Sequence, residues 1–340
     1  MRVVAEHAAR REDRIAPRPR WLRLAGGAAL AASLYALVLG LWQADALAAA
    51  WDKLRPGTVL AVIGLCWLNY LLRGWRWWAW LAQNGCRLKL RRAMRLYLCG
   101  YAFTATPGNV GEALRGTWVR PGEPMRALGI FGAERLADLF ALLLLSLAAA
   151  PVLWPALRGR LSDWGSHHRE EMLPHMIELL TLAGDGVLLA VLLGLSALLM
   201  AGGLALILSL RRWWPTWLAE AGRCLRVRPW RWLLSTLLAW GGQGLAVWLL
   251  ARDLALPLDL GLATGYYAAA MVGGALSALP AGLGSMEALL TAMLVASGAA
   301  LAPALVLVLL VRVFTLWQAI VAGALILAWS LIVLKDPRLG

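Results

Sequence analysis

The chain has 340 residues, of which 61% are hydrophobic and 15% charged, and its formal net charge is +14. Soluble domains carry about a quarter charged residues, and the mean hydropathy here is +0.67, so a soluble globular protein is excluded and an integral membrane protein expected. A nucleic-acid binder is excluded too, because the positive charge falls in short clusters between apolar runs, the positive-inside pattern, and forms no continuous tail.

Residues 1–23 hold seven arginines and form a basic cytoplasmic terminus. The apolar run 24–42 ends near Ala44-Asp45-Ala46, which also fits a cleaved signal peptide. Its length and the interfacial Trp42 favour a membrane span. Further full spans are expected at 58–82, 127–154, 183–209, 231–251 and 303–334. The apolar regions 96–120 and 260–300 are interrupted by proline and glycine. Arg87, Lys89, Arg91, Arg92 and Arg95 stand without an acid in 84–95, and 211–231 holds six arginines against Glu220. The segments 43–56, 156–182 and 252–259 are balanced or acidic. The asymmetry predicts a multi-pass protein of a bacterial inner membrane, with both termini, 84–95 and 211–231 in the cytoplasm and 155–182 outside.

Between the spans, two segments invite a chemical reading. HHREEMLPH (167–175) has metal-ligand residue types, but Pro174 breaks the helix that would align them, so a solvated loop is expected and no metal. RRWWPTWLAEAGRCLRVRPWRW (211–232) interleaves arginine with tryptophan, a composition suited to anionic lipid headgroups of the inner leaflet. Cys66, Cys86, Cys99 and Cys224 form no CxxC pair and read as free thiols.

The informative feature is a repeat. ATPGNVGEAL (105–114) aligns with ALPAGLGSMEALL (278–290): a proline, a glycine pair, then Glu-Ala-Leu. The next embedded arginine is Arg135, 23 residues after Glu112, and Arg312, 25 residues after Glu287. By the charge pattern the two units, roughly 58–154 and 231–334, enter the membrane from opposite sides, as in the inverted repeats of transporters. The fold class is therefore all-α: a polytopic helix bundle of about six full spans plus two broken or re-entrant helix pairs, making one transmembrane domain over 24–335 with a short tail at 336–340.

Irregular backbone survives at membrane depth only when buried in protein or lining a wet cavity. Pro107 and Pro280 would end one helix, while Gly108, Gly111, Gly282 and Gly284 allow sharp turns around Asn109. The following helix would then present free amides and its positive dipole end to an anion. Glu112 and Arg115 are spaced to share a helix face, as are Arg135 and Asp138. A purely structural account is also open: an acid in a first turn is stabilising anyway, Arg135 and Asp138 can simply pair, and Gly108 and Gly111 can serve helix packing. The doubled placement of ionisable groups inside spans favours function.

PGNVGEALR, ERLADL, PAGLGSMEAL and the later LVRVF…AG pattern resemble the lysylphosphatidylglycerol synthase transmembrane, or flippase-like, family, also labelled dolichol-phosphate-glucose synthetase-like membrane proteins. The resemblance covers about 25–335. It implies a polytopic bundle with re-entrant helices that moves a lipid with a large polar head across the bilayer. Best-known members carry a fused cytosolic aminoacyl-transfer domain; this sequence ends at Gly340, six residues past its last span, so no synthase domain is expected and lipid aminoacylation is not carried over. The family's second motif often reads P-G-G-x-G, where this chain has Ala281.

The leading expectation is a lipid flippase, or a transporter of a lipid-linked saccharide, with no cofactor. Arg115, Arg135 and Arg312 would bind phosphate, since guanidinium does so bidentately. Glu112 and Glu287 would be their counter-charges or proton acceptors, and Asp138 would orient Arg135. Arg73 and Arg76, in RGWRWWAW, lie near the inner interface, where snorkelling to headgroups explains them at least as well as a place in the phosphate site. The alternatives are an integral-membrane transferase acting on a lipid phosphate and a non-catalytic partner of a lipid-modifying enzyme; a second copy of the chain is a further candidate partner. Against the transferase, no inside loop pairs carboxylates at metal-binding spacing and no histidine lies in a span.

Overall fold

The computed structural model describes residues 48–106, 109–120, 122–167, 214–277, 279 and 281–333. The spans expected at 24–42 and 183–209, residues 168–182 of the outside loop, the tail, and Pro107, Gly108 and Pro280 lie outside them. All secondary structure among the described residues is helical. Among the described residues three helices are long and apolar enough to cross a membrane: Pro56–Gln83, Pro229–Asp253 and Leu301–Ile332. They coincide with three of the expected spans.

The first unit opens with α1 (Pro56–Gln83), whose Pro56 occupies the first helical position, where its missing N–H costs nothing. Gly85, at φ +81, ends it. Next come α2 (Leu90–Gly100), 3-10 turns at Tyr101–Phe103 and Val110–Ala113, the short α3 (Leu114–Val119) and the long α4 (Pro124–His167). The region expected to be interrupted is thus broken into four helical pieces. At about 1.5 Å per residue, the 44-residue α4 is about 66 Å long, twice a hydrocarbon core of about 30 Å. It therefore continues helically through residues 155–167, where a loop was expected.

The amphipathic α5 (Trp214–Arg226) crosses α4 at Gly129 and Gly132, where an added Cβ would meet the Trp217 carbonyl oxygen at 2.9 Å and the Trp217 ring at 2.5 Å. The second unit then repeats the order of pieces. α6 (Pro229–Asp253) again starts on a proline; α7 (Leu260–Leu276) is capped by Asp259, which accepts from the Leu262 amide at 2.8 Å; after the second motif come α8 (Ser285–Ala296), α9 (Leu301–Arg312), a π-helical turn (Val313–Trp317) and α10 (Gln318–Ile332).

Among the described helices the equivalent pair α1 and α6 packs most extensively, and the two run antiparallel. The Arg55 amide meets Asp253 at 3.0 Å, Asn69 donates to the Ala239 carbonyl at 2.9 Å, and Arg76 to Thr236 at 2.6 Å. One number rises as the other falls, which is the relation an inverted repeat requires. The units also exchange partners: α7 of the second packs on α4 of the first, and α2 of the first packs on α10 of the second. Gly323 on α10 makes that second contact possible, since a Cβ there would lie 2.5 Å from the Ala102 nitrogen. This exchange brings both motifs to one place.

Candidate functional site

A cavity of about 340 Å³ opens where the two units meet. Asn109 and Glu112 of the first motif and Ala281 and Gly282 of the second line it, together with Arg73, Arg135, Asp138 and Arg312. Asn69, Tyr70, Tyr101, Tyr267 and Gln243 supply further polar and aromatic wall.

Asp138 is the hub. Arg73 and Arg76, one turn apart on α1, reach its Oδ2 and Oδ1 at 2.8 Å each. Arg135, one turn earlier on α4, lies 3.2 Å from Oδ2, and the Trp240 indole donates to Oδ1 at 3.3 Å. Arg73 and Arg76 are thus buried, and of the two readings the sequence left open snorkelling is the one that does not hold: a buried acid offers them more than the interface does. Arg76 also donates to Thr236, and Arg73 to Tyr101 at 3.4 Å.

Arg115 behaves differently from the expectation. Its side chain, 1% exposed, does not line the cavity; Nη2 reaches Glu134 at 2.7 Å and Nη1 reaches Glu112 at 3.2 Å. Its guanidinium also sits 4.2 Å over the Tyr97 ring and 5.8 Å from that of Trp77. Glu112 takes a second donor, Thr104, at 2.9 Å. Arg135 joins the two halves, its Nη2 lying 3.6 Å from Glu112. The linked set holds four guanidiniums, on Arg73, Arg76, Arg115 and Arg135, against three carboxylates, on Glu112, Glu134 and Asp138. It carries one net positive charge. Arg135 is the most exposed member of the set at 28%, although its Nε and its ion-paired Nη2 are themselves buried and make no hydrogen bond. An anion in the cavity beside Arg135 would balance the network's net positive charge.

In the second unit Arg312 pairs with Glu287 at 2.6 Å and donates through Nη2 to the carbonyls of Gly282 at 3.1 Å and Ala281 at 3.4 Å. It therefore also holds the turn. The π-helical turn just after Arg312 leaves the Thr315 carbonyl to accept from Tyr70 on α1 at 3.0 Å.

The expectation of free helix amides facing the anion is corrected in the first motif. The Gly111 amide is taken by the Thr106 hydroxyl at 2.7 Å and the Glu112 amide by the Asn109 carbonyl at 3.0 Å, so side-chain guanidiniums carry the positive field. The two motif glycines are needed for different reasons. A Cβ on Gly111 would meet the Phe103 carbonyl oxygen and Thr106 Cγ2 at 2.8 Å, whereas Gly284 has open space but a φ of +84. Gly111→Ala is expected to cost about 1–3 kcal/mol by overpacking and Gly284→Ala about 1–2 kcal/mol by strain. Melting temperatures in detergent check both, and an unchanged value for either would refute its mechanism.

Sequence reasoning missed Glu134, although it adjoins Arg135 in a quoted motif, and it missed the tie of Arg73 and Arg76 to the site; the rule that ionisable groups within spans are functional candidates points to all three. Among the described residues no group of three or more His, Cys, Asp or Glu could hold a metal.

The family model for the lysylphosphatidylglycerol synthase TM region matches residues 24–323. The chain belongs to that family. No curated protein is similar enough to count as a match. Membership in the lysylphosphatidylglycerol synthase TM family makes this a lipid-related membrane protein. Within that family's motif, Ala281 takes a place often held by glycine, and its φ of +52 gives the reason: the turn requires the left-handed region, which glycine occupies without strain.

Proposed function

We propose that the protein is a flippase of a bacterial inner membrane and not an enzyme, moving a lipid whose polar head carries phosphate, a phospholipid or a lipid-linked saccharide. The observation that carries this reading is the convergence of both motifs on one cavity whose charge network is one acid short. The cavity would take the headgroup while the hydrocarbon chains stay in the bilayer. Arg135, the most exposed arginine of the network, faces the phosphate together with Arg73 and Arg312, which line the same cavity, and Glu112, Asp138 and Glu287 hold these arginines between cycles. Arg115, with Glu134, positions Glu112 and does not touch the lipid.

The test is movement of a fluorescent, headgroup-labelled anionic lipid between leaflets of proteoliposomes. The wild-type rate should exceed that of vesicles reconstituted with Arg135→Gln protein. Equal rates would overturn the reading. The reading also needs the charge-based topology, with both termini in the cytoplasm and 155–182 outside. A cysteine at Ser166, introduced after the native thiols are replaced, should react with an impermeant probe on intact cells. Labelling only after permeabilisation would reverse the orientation.

A further inference from the structure

A second cavity, of about 640 Å³, lies between the C-terminal end of α1 and the start of α6. Four arginines line it, Arg76, Arg87, Arg228 and Arg231, and no acid does. Arg87, Arg228 and Arg231 are exposed, and among the described residues none has a carboxylate within ion-pair distance. Arg76 is different. It is 1% exposed, with Nη1 on Thr236 and Nη2 on Asp138, while its buried Nε has no partner. Its side chain is therefore the wall between this cavity and the Asp138 hub of the central one.

Trp75, Trp78, Trp80 and Trp232 give the lining an aromatic wall. Trp78 and Trp232 donate their indole N–H groups to the carbonyls of Leu88 and Leu225 at 2.8 Å each, which fixes the rings and leaves their faces as walls. Arg76, paired with Asp138, lies over Trp80, and the unpaired Arg231 lies over Trp230, both at 5.1 Å, so the Arg231 charge rests on a ring face without being neutralised. The N-terminus of the 25-residue α6 adds the positive end of its dipole.

Unpaired guanidiniums select a phosphate-type anion, and fixed tryptophan rings beside arginines select a headgroup at the membrane surface over an ion in water. We propose that this arginine–tryptophan cavity is a separate binding site for the headgroup of an anionic phospholipid, distinct from the central cavity and divided from it by Arg76.

The test uses the full chain in neutral detergent and radiolabelled short-chain phosphatidylglycerol. It is run first on Arg135→Gln protein, in which the network at the central cavity has lost its most exposed arginine. Adding Arg87→Gln, Arg228→Gln and Arg231→Gln, all exposed positions, should weaken binding by about tenfold or more, the scale of losing one or two charge-assisted hydrogen bonds, with the melting temperature unchanged. Zwitterionic phosphatidylcholine and inorganic phosphate should compete poorly. Unchanged affinity in the combined variant would overturn the site. Phosphate competing as well as the lipid would make it a free-anion site, and phosphatidylcholine competing equally would make it an apolar one; either result overturns the proposal. If the central-cavity reading alone is wrong, Arg135→Gln protein will bind as wild type does, yet the three further substitutions will still remove this site.

Discussion

Asp138→Ala is expected to be among the most destabilising single substitutions at the site. It removes the carboxylate shared by Arg73, Arg76 and Arg135, and the first two side chains are 7% and 1% exposed. Breaking a buried pair by deleting one partner costs about 3–5 kcal/mol, because the remaining charge is left without compensation. Here several remaining charges share one sign, and the network's net charge rises from one to two. The measurement is the melting temperature in detergent together with the yield of folded protein. Asp138→Asn should recover little, since the amide keeps the shape but not the charge. Glu123→Ala is the control. Its carboxylate bridges Arg120 and Arg126 at 3.2 and 3.3 Å but is 48% exposed, and exposed pairs contribute about 0–1 kcal/mol. Equal melting of the Asp138→Ala and wild-type proteins would show that the hub is not holding α1 against α4.

Arg135→Gln and Arg115→Gln should separate transport from architecture. Removing Arg135 leaves every acid paired: Asp138 keeps Arg73 and Arg76, and Glu112 keeps Arg115. The network becomes neutral, so stability should change by no more than about 1 kcal/mol. Lipid movement should nevertheless fall about tenfold or more, because the lost group is the most exposed guanidinium of the network at the cavity. Arg135→Lys should recover part of it, keeping the charge without the bidentate fork. Arg115→Gln reverses the pattern. It strips Glu134 of its ion-pair partner and leaves Glu112 the more distant Arg135, all in a buried setting, so about 3–5 kcal/mol should go with it. Transport per folded molecule should be much less affected than in Arg135→Gln. Should Arg115→Gln fold normally and stop transport, the two arginines have been assigned the wrong way round.

Much of this protein is readable along the chain because the relevant physics is local. Composition identifies the solvent, since apolar runs of span length have no other stable home. The spans at 58–82, 231–251 and 303–334 coincide with helices Pro56–Gln83, Pro229–Asp253 and Leu301–Ile332. The motifs point to broken helices because proline and glycine act on their own backbone. Pairs three residues apart, Glu112 with Arg115 and Arg135 with Asp138, also follow from helix geometry and are present at 3.2 Å.

Tertiary structure decided the rest, where the partner lies far away in sequence. Arg73 looks interfacial until α4 brings Asp138 to it across 65 positions, and Arg76 until α6 brings Thr236 across 160. Whether a guanidinium faces a cavity or a buried acid depends on which helix packs over it. The same residue type in neighbouring motifs thus becomes a cavity group at Arg135 and an internal brace at Arg115. Sequence alone determined that charges lie within the membrane; the crossing of the two units determined which are satisfied there, and left one positive charge of the network without an acid.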